Sequence, residues 1–172
     1  MVTQFALVST YAADTDENRG QISAADYKFV KAAACGGMLE VNLGNTASAN
    51  SRNTAVQQFG QHMVKDHGKA GQDLEQIVSR KGASLPSQLT TWQQKEVDRL
   101  AKLSGSEFDK AYVAFMVKCH KADEKAFKRA FEDLQDPDLK AFAATTLTMV
   151  QDHLKMAEDL DESIKHDLSI NR

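Results

Sequence analysis

The sequence predicts an all-α fold: four long helices packed as a bundle, with one short additional helix crossing over between the second and third of them. Three observations point there. Apolar and small residues recur at three-and-four spacing through four long segments, no segment alternates apolar and polar residues between turn signals, and only two prolines interrupt 172 residues. A chain of this size buries a core without disulfides or metal to hold it together, so a bound metal would serve function.

The bundle is expected over residues 23–165. Residues 1–22 form an N-terminal segment, flexible or the remnant of an export signal, and 166–172 a polar C-terminal tail. The first long helix carries Phe29, Ala33, Gly36, Leu43 and Ala47 on one face, with Ser23 or Asp26 placed to cap its start. The polar run at 50–53 (NSRN) breaks it. Val56, Phe59, Met63, Ala70, Leu74 and Ile77 then mark the second helix, which ends before Gly82. A loop at 82–86 (GASLP) leads into the short helix of Leu89, Trp92, Val97, Leu100 and Leu103. The third long helix carries Phe108, Tyr112, Phe115, Met116, Phe127 and Phe131 and stops at Asp136-Pro137. Leu139, Phe142, Thr146, Val150, Met156 and Leu160 mark the fourth.

At about 1.5 Å per residue, a sixteen-residue short helix spans roughly 24 Å, enough to carry the chain back along the bundle. That gives the single long crossover of ferritin-like bundles; an up-down order with the short helix capping one end is the alternative.

Composition removes several classes of function. The formal charge is −3 with signs mixed along the chain, so there is no basic stripe for tracking phosphates and nucleic acid is not an expected partner. No run is long enough for a transmembrane segment. The first 13 residues contain a short apolar stretch and small residues like the end of a signal peptide, without its basic start. Cys35 and Cys119 are too few for a disulfide framework and form no C-x-x-C unit; they read as small apolar core residues. Neither a glycine-rich phosphate loop nor a nucleophile with an adjacent base can be assembled, so hydrolase chemistry has no support.

The informative residues are those that break the apolar stripes. Glu40 shares the buried face of the first helix, four after Gly36 and three before Leu43. In the second, 62–67 (HMVKDH) sets Asp66 and His67 inward and His62 on the flank. His120 lies between Met116 and Phe127 in the third, with Glu124 one turn on, and His153 between Val150 and Met156 in the fourth. A buried lone carboxylate is costly unless protonated, hydrogen-bonded or on a metal. Measured from the first turn, Glu40 lies about 17 Å, His62 about 16 Å, His67 about 23 Å and, with a crossover, His120 about 21 Å along the bundle. His120 and His153 are nearly equidistant from the Asp136-Pro137 turn. One ligand-type residue per long helix thus reaches a common level. The set suits zinc, iron, manganese or copper. It lacks the Glu-x-x-His pairs of di-iron bundles, which favours a mononuclear site.

Four blocks, at 29–44 (FVKAAACGGMLEVNLG), 63–67 (MVKDH), 108–120 (FDKAYVAFMVKCH) and 153–157 (HLKMA), resemble the bacterial family known as domain of unknown function 4142. The resemblance covers roughly residues 26–160. It implies a ferritin-like bundle exported to the periplasm, with Glu40, His67, His120 and His153 as matching polar positions. It implies no reaction, and Cys35 and Cys119 lie outside its pattern.

The leading expectation is therefore a metal-binding bundle of the bacterial envelope, concerned with metal sequestration or oxidative stress. Glu40, His67, His120 and His153 are its ligands; His62, Asp66 and Glu124 are supporting or alternative ones. The alternative is a non-catalytic structural or stress protein, binding a protein partner or a second copy of itself, in which the Glu/His cluster is a hydrogen-bonded core network. Third comes a carrier for a small apolar ligand, supported only by methionine and phenylalanine content.

Overall fold

The structure is a computed structural model that describes residues 16–170. Of the N-terminal segment expected at 1–22, residues 1–15 lie outside this range, as do the last two residues of the tail. A short 3-10 turn, Asp16–Arg19, precedes five α-helices: α1 (Ala24–Asn50), α2 (Thr54–Ser79), α3 (Thr91–Ala101), α4 (Gly105–Asp133) and α5 (Pro137–Ile170). Among the described residues there is no strand. α5 runs on through much of the polar stretch assigned to the tail.

Each boundary has a local cause. Ser23 accepts from the Asp26 amide to start α1, and the Asn53 side chain accepts from the Ala55 and Val56 amides to start α2. Thr90 and Gln93 form a reciprocal capping box on α3. Pro137 opens α5, where its missing N–H removes nothing, and Asp136 caps the amides of Asp138 and Leu139.

Hydrogen bonds between chain-distant segments fix the topology. At one end, Tyr27 Oη donates to the Ser84 carbonyl (2.9 Å), and the Asp26 carboxylate accepts from the amides of Gln135 and Asp136. The start of α1, the end of α2 and the α4–α5 turn therefore lie together. At the other end, Asn50 Nδ2 donates to the carbonyls of Ala101 and Leu103 (3.0 and 2.7 Å), bringing the end of α3 to the α1–α2 turn. The connection 80–104 thus carries the chain the length of the bundle, first as an irregular stretch over 83–90 and then as α3, which has 11 residues where sixteen were expected; α2 and α4 run parallel, the single-crossover order. Midway, Gln93 Nε2 donates to the Cys35 carbonyl and ties α3 to α1.

The core divides into two clusters. One is built on Ile22, Val30, Leu74, Val78, Leu139 and Val150, the other on Leu43, Phe59, Met63, Phe108, Tyr112 and Met116. The expected stripes hold with local shifts. Val30 and Ala34 are buried where Phe29 and Ala33 are only partly so, and Val78 goes inward in place of Ile77. Trp92 and Phe131 are exposed. The two cysteines are half-buried, so neither is a full core residue. No described helix is long and apolar enough to cross a membrane.

Candidate metal centre

Between the two apolar clusters lies a buried polar layer. Glu40 is 3% exposed, His67 6%, His120 0% and His153 1%, one from each long helix. A ring nitrogen from each histidine lies within 4.8 Å of one from each of the others. His67 Nδ1 is 2.9 Å from Glu40 Oε2, and His153 Nδ1 is 3.3 Å from His67 Nε2. Side-chain direction explains how Glu40 and His67 meet although they start about a turn apart in level. Helical side chains lean toward their own N-termini, so on antiparallel helices the two lean toward each other.

The protons of the three rings can be assigned from their fixed partners. Burial holds His67 and His153 down to about 4 and lowers His120 as well, so all three are neutral near pH 7 and each ring carries one N–H. His67 Nδ1–H donates to the Glu40 carboxylate. His120 Nδ1–H donates to the Met116 carbonyl (3.0 Å), and His153 Nε2–H to Asp66 Oδ2 (3.1 Å). Every N–H is therefore spent on an acceptor outside the ring cluster. The lone pairs of His67 Nε2, His120 Nε2 and His153 Nδ1 are left to face one another.

A carboxyl group that the sequence reading did not single out completes the layer. Asp123 hydrogen-bonds Glu40, and burial together with the Glu40 charge pushes it up to about 8. The pair shares one proton: Asp123 holds it and donates, while Glu40, itself raised by burial, accepts. The signal was present in the sequence, since Asp123 follows Met116 by seven and precedes Phe127 by four, on the buried stripe. Of the supporting residues proposed from sequence, Asp66 does contact His153. His62 is exposed, and Glu124 turns outward to Lys128 and Gln151.

Buried in this layer, His120 Nε2 has no hydrogen-bond partner, and Glu40 Oε1 has none beyond the proton the carboxylate shares with Asp123; the two atoms face each other at 3.5 Å. An acceptor opposite a lone pair is a repulsive arrangement unless a cation lies between. A cavity of about 1140 Å³ along the α2–α5 face is lined by Asp66 and His153 and gives the layer an approach from solvent.

Fold and layer together define a class: single-crossover helical bundles with one inward ligand-type residue on each long helix. The chain belongs to the family described as Domain of unknown function (DUF4142), whose family model matches residues 12–160. No curated protein matches it. Among solved structures, the crystal structure of a DUF305 fragment from Deinococcus radiodurans superposes with a TM-score of 0.73 at 12% sequence identity. The match covers 83% of this chain and 98% of that one, and at that identity the likeness is one of fold.

Proposed function

We infer that this protein binds one divalent transition-metal ion at the level of Glu40, His67, His120 and His153. The observation that carries the reading is the convergence of three imidazole lone pairs whose N–H groups are all committed elsewhere. A tetrahedral ion with bonds of about 2.0–2.1 Å sets its ligand atoms about 3.3–3.4 Å apart. The His67–His153 contact of 3.3 Å and the Glu40 Oε1–His120 Nε2 contact of 3.5 Å have that spacing. Glu40 then serves twice, orienting His67 through Oε2 and completing the donor set through Oε1. Asp66 and the Met116 carbonyl fix the other two rings, the usual support for histidine ligands.

A three-nitrogen, one-oxygen set suits zinc or copper better than magnesium or calcium, which prefer oxygen ligands. The single-crossover bundle is also the arrangement in which ferritin-like proteins hold their metals, and a role in metal sequestration or oxidative stress in the bacterial envelope fits this reading. The competing reading is a metal-free hydrogen-bonded network, favoured by the bonds from His67 to Glu40 and from His153 to Asp66. It leaves His120 Nε2 unpaired at 0% exposure with its lone pair against the Glu40 carboxylate, a costly state.

Elemental analysis of protein purified without chelator, and again after reconstitution with Zn²⁺ or Co²⁺, tests the proposal. The expected result is one equivalent per chain, lost in His120→Ala, with the intense visible bands of tetrahedral Co²⁺. Less than about a tenth of an equivalent after reconstitution overturns it, since protein zinc sites of this kind bind far too strongly to go unloaded. Fractionation of the producing cell tests the expected periplasmic location.

A further inference from the structure

None of Glu40, His67, His120 and His153 is more than 6% exposed, so an ion that reaches them has to pass between helices. Two openings lead to the layer from different sides. α1 and α2 touch backbone to backbone near their connecting turn, where a Cβ on Gly44 would sit 2.5 Å from the Gly60 carbonyl oxygen. Toward the other end they leave a cleft of about 730 Å³ that meets the layer at Glu40, His67 and Asp123. Its walls are mostly apolar, with Phe29, Leu74, Phe127 and Phe142 among them, and of the carboxylates that line it only Glu75 is exposed. The two carboxyls at its inner end are already engaged: Asp123 hydrogen-bonds Glu40, and Glu40 holds His67. A hydrated cation coming this way gives up water along rings that offer no oxygen in its place, which is costly.

The second opening is the groove of about 1140 Å³ between α2 and α5. Asp66, Asp73, Asp138 and Asp152 line it against Lys69 and Arg80, an excess of negative charge, and threonines of α5 add hydroxyls. Asp66 joins this groove to the layer. Its side chain is 31% exposed, yet its Oδ2 lies 3.1 Å from Nε2 of the His153 ring, which is 2% exposed. The opposite nitrogen of that ring, Nδ1, faces His67 Nε2 at 3.3 Å. Asp66 is thus the carboxylate that meets both the groove and an imidazole of the layer, and with Oδ2 on His153 its Oδ1 remains for an arriving ion.

We propose that the metal ion enters and leaves through the α2–α5 groove, that Asp66 is the first group to hold it, and that it passes inward as the His153 ring turns aside. The inference rests on the metal reading above and adds the route to it. A lining with excess negative charge raises the local concentration of cations and speeds their arrival, an effect that salt screens. Turning the ring breaks one hydrogen bond, the His153–Asp66 bond at the edge of solvent. No other is lost, because Nδ1 and His67 Nε2 face each other as two lone pairs.

Stopped-flow mixing of the metal-free full chain with Co²⁺, followed through the visible bands of tetrahedral Co²⁺, tests the route. Asp152→Lys should slow uptake about threefold or more at low salt, and Lys69→Glu should speed it by a like factor. Both differences should fade at about 0.5 M salt, where the screening length falls below about 5 Å. Final loading should stay at one ion per chain in both variants, which also shows that each has folded. Gly36→Leu, placed where a Cβ meets no atom within 4 Å, fills the α1–α2 cleft and should load at the parent rate. Uptake that follows neither groove charge overturns the proposal, and so does slowing by Gly36→Leu with the groove variants unchanged. In either case normal final loading leaves the metal reading standing. A chain that takes up no cobalt at equilibrium overturns the metal reading, and the route with it.

Discussion

At the scale of single residues, the decisive feature is where each imidazole places its one proton. Asp66 is the easiest of the three acceptors to change without disturbing the core, because its side chain is about a third exposed while its partner His153 is buried. Asp66→Asn should leave the stoichiometry at one metal per chain and weaken metal affinity about 10- to 100-fold, the usual effect of losing the group that orients a histidine ligand. Competition with a chromophoric chelator measures it, and unchanged affinity would mean that Asp66 does not set the His153 tautomer. The four principal residues were legible in the sequence because each is a polar side chain interrupting an apolar stripe near mid-helix. The second role of Glu40 was not, since a carboxylate's two oxygens acquire different partners only in three dimensions. Asp123 and Glu124 are neighbours that both fall near the inward face, and only packing decides that Asp123 and not Glu124 turns toward Glu40.

At the scale of elements, α1 shows why stripe positions blur. Its run at 29–37 (FVKAAACGG) is so rich in small residues that neighbouring faces are almost equally apolar, and the helix buries Val30 and Ala34 more deeply than Phe29 and Ala33. Helix order and the crossover were legible from the breaks at 50–53, 82–86 and 136–137, since breakers act locally. The divergence of α1 and α2 was not, because identical glycines serve opposite purposes along it. That contrast is measurable. Gly44→Ala forces a methyl against the Gly60 carbonyl oxygen and should cost about 1–3 kcal/mol. Gly68→Ala meets nothing and should stabilise by about 0.5–1 kcal/mol through helix propensity. Urea midpoints of the two variants should move in opposite directions; a shared direction would contradict the close-then-open geometry. Asp26 is the corresponding tie at the far end. Asp26→Ala leaves the Gln135 and Asp136 amides without their acceptor and should destabilise by about 1–3 kcal/mol in the same assay.

For the whole molecule, the polar layer makes the stability of the metal-free protein depend on pH with limbs of opposite sign. His67 and His153 fall from an ordinary 6.5 to about 4 on folding, so between those values the unfolded chain binds more protons than the folded one. Stability must then rise with pH through that window, and it is lost as pH falls from 6.5 toward 4. Asp123 works the other way. It rises from 3.8 to about 8, so the folded chain holds a proton that the unfolded chain has released, and stability declines as pH climbs toward 8. Between 4 and 6.5 the two histidines outweigh the single shared carboxyl proton, and His120, also lowered, adds to them. Above 6.5 the histidines are neutral in both states and the limb of the Glu40–Asp123 pair dominates, joined toward pH 8.5 by the Cys119 thiol, which burial pushes up. The metal-free protein should therefore be most stable between about pH 6.5 and 7, which urea unfolding at half-unit steps from pH 4.5 to 8.5 resolves. Asp123→Asn keeps the acid limb and flattens the alkaline one. A profile that rises steadily to pH 8.5 would place the shared proton elsewhere than on the Glu40–Asp123 pair.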